Sequence, residues 1–218
     1  YFSDDNYTAM IHRRLSIIDL SIKGNQPMKS LSGRYVISFN GEIYNHKILR
    51  NDKIFNNEQW MGSSDTETLL TYFEIYGIEK TLNDIEGMFS FVIHDKKLNK
   101  LYLARDRSGE KPLLYGKINE LFIFGSELSF LKMLPGIKLN LDKKSINQYF
   151  FYGYTKDTPF EEIKKVQPGT YMIVSIDNNG IVNYEKNKKY WNFNLKSNSI
   201  NASKVNIENI FEKKLEKV

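Results

Sequence analysis

Cysteine is absent from the 218 residues, histidine occurs three times and proline five times. The first absence excludes disulfides and every metal site built on thiolates. The second leaves His12, His46 and His94 too scattered for a histidine-rich metal centre, and no metal ligand set is expected. No stretch approaches the roughly 20 apolar residues that span a bilayer, and the present N-terminus shows no signal peptide. A dense basic block is missing too. The formal net charge of +5 comes from lysines dispersed among Asn, Glu and Asp, which reads as solvated surface rather than a nucleic-acid footprint. These absences predict a soluble, cytoplasmic protein without nucleic-acid or membrane partners. At 41% hydrophobic and 14% aromatic content the chain can bury one sizeable core.

The most informative stretch present is Phe39-Asn40-Gly41-Glu42-Ile43-Tyr44-Asn45, following the apolar run Tyr35-Val36-Ile37-Ser38. Asn-Gly between apolar residues signals a tight hairpin when it stands alone. Here Asn45 can cap a helix over His46–Arg50, so a strand passing through a polar bend into a helix is expected. Such a bend offers an Asn side-chain amide beside a Gly backbone N–H, two donors suited to an oxyanion.

Elsewhere Tyr7–Ile11 reads as a strand and Gly24-Asn25-Gln26-Pro27 as a turn, with His12-Arg13-Arg14 preceding the alternation Leu15-Ser16-Ile17-Ile18 between them. Ser64 with Glu67 fits a capping box opening a helix through Leu69, Leu70, Tyr72, Phe73 and Tyr76, with Gly77 as its terminator. That leaves Asp65 free at the positive helix end. Met88–Ile93, Leu101–Ala104, Pro112–Tyr115 and Leu121–Phe124 read as an antiparallel meander with both faces covered. Helices are expected over Glu127–Leu134 and Asp142–Tyr152, and a hairpin over Thr170–Ser175 and Ile181–Tyr184. Residues 194–203 read as a polar linker, and Val205, Ile207, Ile210, Phe211, Leu215 and Val218 as an amphipathic helix beginning a second domain.

His12–Leu20, Gln26-Pro27-Met28, Phe39–Asn45, Ser64–Glu67, Gly87–Phe91, Ala104–Leu113 and Gly125-Ser126-Glu127 occur in one order. Together they resemble the glutaminase half of glutamine-hydrolysing asparagine synthetases, class II glutamine amidotransferases. The resemblance implies an α+β, αββα four-layer sandwich of the N-terminal nucleophile hydrolase type, two antiparallel sheets between helices. Residues 1–193 would be this domain without its first strand, and 194–218 the linker and start of an ATP-dependent synthetase domain.

In that family an N-terminal Cys thiol attacks the glutamine side-chain amide while its own α-amine, of pKa near 7.7 to 8.0, moves the proton. By resemblance Arg14 takes the glutamine α-carboxylate, for which a planar guanidinium is suited. Leu15, Ser16, Ile17 and Ile18 line the pocket through their backbone. Asn40 and Gly41 form the oxyanion hole, and Glu42 and Asp65 face the substrate α-amine. Arg105–Pro112 is ranked as scaffold, a charged hairpin turn.

Two departures from the family pattern bear on activity. The nucleophilic Cys is missing, and so is the Ser-Gly-Gly-x-Asp-Ser pyrophosphate loop of the synthetase domain. Truncation at both ends is expected, and the fragment alone is expected to be inactive. No cofactor is expected in this domain, whereas ATP and Mg2+ belong to the synthetase domain. The implied partners are L-glutamine and that C-terminal domain, and a homodimer is admitted. Two alternatives share the motifs: an amidotransferase acting on another acceptor such as a surface sugar, and a non-catalytic glutaminase-like domain as in β-lactam synthetases. Retention of Arg14, Asn40, Gly41 and Asp65 together weighs against the latter.

Overall fold

A computed structural model describes residues 1–13, 21–55, 60–134, 136–177, 179–184, 187–193, 209 and 212. In chain order its strands are β1 (Met28–Lys29), β2 (Tyr35–Ile43), β3 (Gly87–Asp95), β4 (Lys100–Arg105), β5 (Leu114–Ile118), β6 (Leu121–Gly125), β7 (Ile163–Lys165), β8 (Thr170–Ile176), β9 (Val182–Tyr184) and β10 (Lys188–Lys189). The α-helices are α1 (His46–Arg50), α2 (Asp65–Asp84) and α3 (Lys143–Tyr152). One antiparallel sheet runs β1-β2-β3-β4-β8-β10, with β9 on the same edge of β8 as β10, and a smaller one runs β6-β5-β7.

The period-2 alternation of side chains decides what each face of the large sheet meets. Tyr35, Ile37, Phe39 and Ile43 of β2, with Phe89, Phe91 and Ile93 of β3, pack on Leu69, Leu70 and Phe73 of α2. The opposite face, with Val36, Val92, Leu101, Leu103, Met172 and Val174, packs on Leu113, Val166 and Tyr115 beside the small sheet. The outer face of the small sheet is covered by Leu128, Phe130 and Leu131 of a 3-10 helix and by Ile137 and Leu139. Strands buried on both faces read as near-continuous apolar runs, as they do here. Burying each fully enclosed Phe or Leu stabilises by about 1.5 to 3 kcal/mol.

Several elements differ from their sequence expectation. Tyr7–Ile11 is no strand: Phe2 and Ala9 form an isolated bridge, and the turn between them is held by Ser3 and Asp5. β2 continues straight through Asn40-Gly41 to Ile43 instead of bending there. Asn45 precedes α1 without a side-chain capping bond; its amide accepts from Glu86 N–H at 2.9 Å and donates to Asp84 C=O at 2.8 Å. Ser64 does cap α2, accepting from Glu67 N–H at 3.2 Å. The Glu67 carboxylate turns instead to the N–H groups of Met61 and Gly62 and to Arg50. Gly77 leaves the helical region (φ 74°, ψ 178°), so the first helical stretch of α2 does end there as expected, and a second follows directly across the kink with Thr81 and Leu82 buried on the core.

The expected meander is divided between two sheets. β3 and β4 stay in the large one, while the chain crosses after Arg105 to form β5 and β6 in the other. The segment expected as a helix over Glu127–Leu134 is a 3-10 helix, Leu128–Met133, whereas α3 and its Asp142 cap stand as expected. β8 pairs with β9 as the hairpin pattern indicated. The linker and the terminal amphipathic run fall outside the described residues, apart from Asn209 and Glu212.

Candidate active site

Backbone hydrogen bonds in an antiparallel ladder alternate from one side of a strand to the other. Tyr44 N–H donates to Glu86 C=O at 2.8 Å, continuing the β2–β3 register. Pairs Glu42/Met88 and Asn40/Ser90 are therefore the hydrogen-bonded ones, and Gly41/Phe89 and Ile43/Gly87 are not. Phe89 agrees: its N–H and C=O meet Asp106 on the β4 side, at 3.2 and 2.8 Å. The peptide groups of Phe39, Gly41 and Ile43 thus face the other way, toward the β1 edge.

Pairing with β1 ends at Met28/Ile37, so the last two thirds of β2 have no backbone partner on that edge among the described residues. Side chains take its place. Gln26 Oε1 accepts from Phe39 N–H at 2.6 Å, and Asp65 Oδ2 accepts from Ile43 N–H at 3.0 Å. The Gly41 N–H lies between these two occupied donors. Gly41 has φ 148°, and a Cβ there would sit 2.1 Å from Met88 O. Only glycine admits this approach.

Asn40 lies on the face of β2 shared by Val36, Ser38 and Glu42, the one turned toward the second sheet. There the apolar filling stops: Asn40 and Glu42 are partly exposed. Ser38 Oγ is 3.1 Å from His12 Nδ1, and Ser90 Oγ, opposite Asn40, donates to Pro112 C=O at 3.0 Å. The Asn side chain and the Gly N–H therefore belong to adjacent residues at a polar margin of the inter-sheet space.

Asp65 is not a free carboxylate at a helix end. It is 5% exposed, with Oδ2 on Ile43 N–H and Oδ1 on Thr66 N–H at 2.9 Å. Burial raises its pKa above the ordinary carboxylate value, against the lowering effect of those two donors. The pKa of His46, on α1, is lowered by its own burial, with the Asp65 charge opposing. Arg14, Leu15, Ser16, Ile17 and Ile18 lie outside the described residues. Of the expected site residues, the structure brings Asn40, Gly41 and Glu42 together on β2 and ties Asp65 to the end of the same strand. Among the described residues no group of His, Asp and Glu is arranged to hold a metal.

Two functional supports were hidden in the sequence. Gln26 reads only as part of a turn, yet it occupies the edge of β2. Asp106, within the segment ranked as scaffold, is 1% exposed and accepts from the N–H groups of Phe89, Ser108, Glu110 and Lys111 at 2.9 to 3.2 Å. Arg105 donates to the carbonyls of Gly109, Lys111 and Val166 at 2.6 to 2.9 Å. The segment is the crossover between sheets rather than a hairpin, and it fixes Phe89 opposite Gly41.

Comparison with known proteins supplies the family and the fold. The model of the glutamine amidotransferase domain matches residues 1–191. Asparagine synthetase [glutamine-hydrolyzing] 3 of Bacillus subtilis is 33% identical over 217 residues, covering 95% of this chain and 34% of that protein. Asparagine synthetase [glutamine-hydrolyzing] 1 of the same organism is 37% identical over 179 residues, 81% of this chain and 28% of that protein. The chain thus spans about a third or less of these relatives. Among solved structures, glutamine phosphoribosylpyrophosphate amidotransferase from B. subtilis superposes with a TM-score of 0.55 at 20% identity, over 84% of this chain and 35% of that one. It shares the fold, two antiparallel sheets face to face. With the family model matched along nearly its whole length, the chain belongs to the glutamine amidotransferase domain family.

Proposed function

We propose that these residues are the glutamine-hydrolysing domain of an asparagine synthetase, occupying residues 1–193, with 194–218 leading to the synthetase domain. A cysteine thiol attacks the side-chain amide carbon of L-glutamine, and the amide oxygen becomes an oxyanion in the tetrahedral intermediate. Asn40 Nδ2 and the Gly41 N–H stabilise that charge. Arg14 holds the α-carboxylate and Glu42 complements the α-ammonium; Asp65, both of whose oxygens take the Ile43 and Thr66 N–H groups, acts there through its charge rather than through a free oxygen. Collapse of the intermediate releases ammonia and leaves a thioester, which water hydrolyses to glutamate. The ammonia passes to the β-carboxyl of aspartate, activated by ATP with Mg2+ in the synthetase domain. None of the 218 residues is assigned to ATP or Mg2+, because they include no pyrophosphate-binding loop, and none is the nucleophile, because they include no cysteine. The setting is cytoplasmic on this reading; no helix among the described residues is long and apolar enough to cross a membrane.

The observation that carries the reading is the Gly41 N–H, set between two side-chain-occupied N–H groups beside Asn40 at the inter-sheet margin. It supplies one neutral donor from backbone and one from a side chain, the pairing an amide oxyanion needs. In the full-length polypeptide, Asn40→Ala is expected to lose glutamine-dependent synthesis by about 10²- to 10³-fold, while synthesis from added ammonia persists. Equal loss of both activities contradicts the assignment. Replacing aspartate with other acceptors in the ammonia-driven reaction identifies the acceptor.

A further inference from the structure

The β1–β2 register places Gln26 opposite Phe39, since Met28 pairs with Ile37 and each step along one strand is a step back along the other. A continuing strand would meet Phe39 with its backbone. Here it is the Gln26 side chain, not its backbone, that accepts from Phe39 N–H. The same side chain donates Nε2–H to Thr66 Oγ1 at 3.4 Å. Thr66 N–H in turn donates to Asp65 Oδ1, whose other oxygen takes Ile43 N–H. A chain of hydrogen bonds therefore runs from Phe39 through the Gln26 side chain, the hydroxyl and backbone N–H of Thr66 and the Asp65 carboxylate to Ile43. It frames the Gly41 N–H without covering it.

We propose that Gln26, through its link to Thr66, is a positioning residue of the oxyanion site: it replaces a neighbouring strand where one would sequester the Gly41 N–H, and fixes β2 so that this donor points outward. The proposal rests on the glutaminase reading above. Two unlike anchors bear on one short strand, one from the β1 turn and one from α2, so the aim of the intervening peptide is determined from both sides. A plain edge strand would leave three successive outward N–H groups free to reorient. Positioned donors matter most where charge develops, so Gln26 acts on the transition state more than on bound glutamine.

The test uses the full-length protein with Gln26→Met, which keeps length and removes the acceptor, and Gln26→Glu, which keeps an oxygen for Phe39 N–H. Gln26→Met is expected to lower kcat for glutamine hydrolysis about 10- to 100-fold, less than deleting the Asn40 donor, with KM unchanged. Affinity for the γ-aldehyde analogue of glutamine, which a thiol converts to a tetrahedral adduct, falls by the same factor, whereas inhibition by glutamate does not change. Gln26→Glu restores most of the rate. Equal losses in both Gln26 variants, a raised KM with kcat intact, or unchanged affinity for the aldehyde overturns the proposal. Should Gln26→Met fail to fold, Thr66→Val severs the other end of the link and is judged by the same readings. If Asn40→Ala separates the two synthetic activities while these variants lose nothing, only the positioning role falls. If Asn40→Ala fails to separate them, the glutaminase reading itself falls.

Discussion

Gly41 meets two demands at once: a backbone at φ 148° and a neighbour, Met88 O, inside the volume of any Cβ. At the start of β3, Gly87 meets the same pair of demands against Glu42 O. Gly41→Ala must therefore shift backbone rather than a flexible side chain. Overpacking and backbone strain each cost about 1 to 3 kcal/mol, so the substitution is expected to destabilise by about 2 to 6 kcal/mol. Chemical denaturation of the full-length protein measures it; a loss below about 1 kcal/mol would mean the two strands can part there at little cost. The Asn40-Gly41 pair was visible in the sequence, and so was the residue chemistry. Its strand conformation was not, because Asn-Gly is also the commonest hairpin signal and only pairing with Phe89 and Ser90 excludes the turn.

At the scale of elements, the crossover after β4 explains why Arg105-Asp106 carries opposite charges side by side. The Asp106 carboxylate gathers four N–H groups and the Arg105 guanidinium gathers three carbonyls, so the two side chains satisfy the backbone of a tight loop whose tip is exposed. Asp106→Ala leaves the buried Phe89 N–H without an acceptor and turns three half-exposed loop N–H groups toward water, and a loss of about 1 to 3 kcal/mol is expected, most of it from Phe89. The same variant frees Phe89 opposite Gly41, so on the proposed function glutamine hydrolysis is expected to fall further than ammonia-dependent synthesis. A thermal scan paired with the two activities checks both outcomes, and an unchanged melting temperature would remove the loop from the supports of the fold. The α2 cap at Ser64 was legible because a capping box is local. The role of Glu67 was not, since its partners Met61, Gly62 and Arg50 come from a loop and another helix.

For the whole molecule, pH acts through buried carboxylates whose shifts have opposite sign. Desolvation would raise the Asp95 pKa, but the paired bonds from Arg34 at 2.9 and 2.6 Å and the Lys97 and Leu98 N–H groups outweigh it and hold the carboxyl below its ordinary value. A carboxylate with a depressed folded pKa stabilises above its unfolded value, near 3.9, and loses that contribution as pH falls through the folded one. Asp65, whose pKa is raised, does the reverse: its cost to the folded state is relieved as pH falls through its elevated value. Asp95→Asn is therefore expected to flatten the acid limb of stability against pH, whereas Asp65→Asn leaves that limb, removes the relief that falling pH brings at Asp65 and lowers stability throughout, because one amide oxygen cannot accept from both Ile43 and Thr66 N–H. Urea titrations across pH 3 to 7 follow both; an acid limb unchanged by Asp95→Asn would place the acid-sensitive group elsewhere.

The amino-acid sequence by itself determined the family, the alternation that makes β2, β3 and β4 buried strands, the capped start of α2 and the placing of Asn40 beside Gly41, because each depends on neighbours within a few positions or on an ordered series of motifs. Only the tertiary structure decided which sheet each strand joins, that Asp65 is spent on the Ile43 N–H group, and that Gln26 stands in for a strand beside Phe39 and reaches Thr66. Those are contacts between residues 13 to 40 positions apart, or choices between sheets, and local propensity carries no information about which backbone groups will be left facing an open edge.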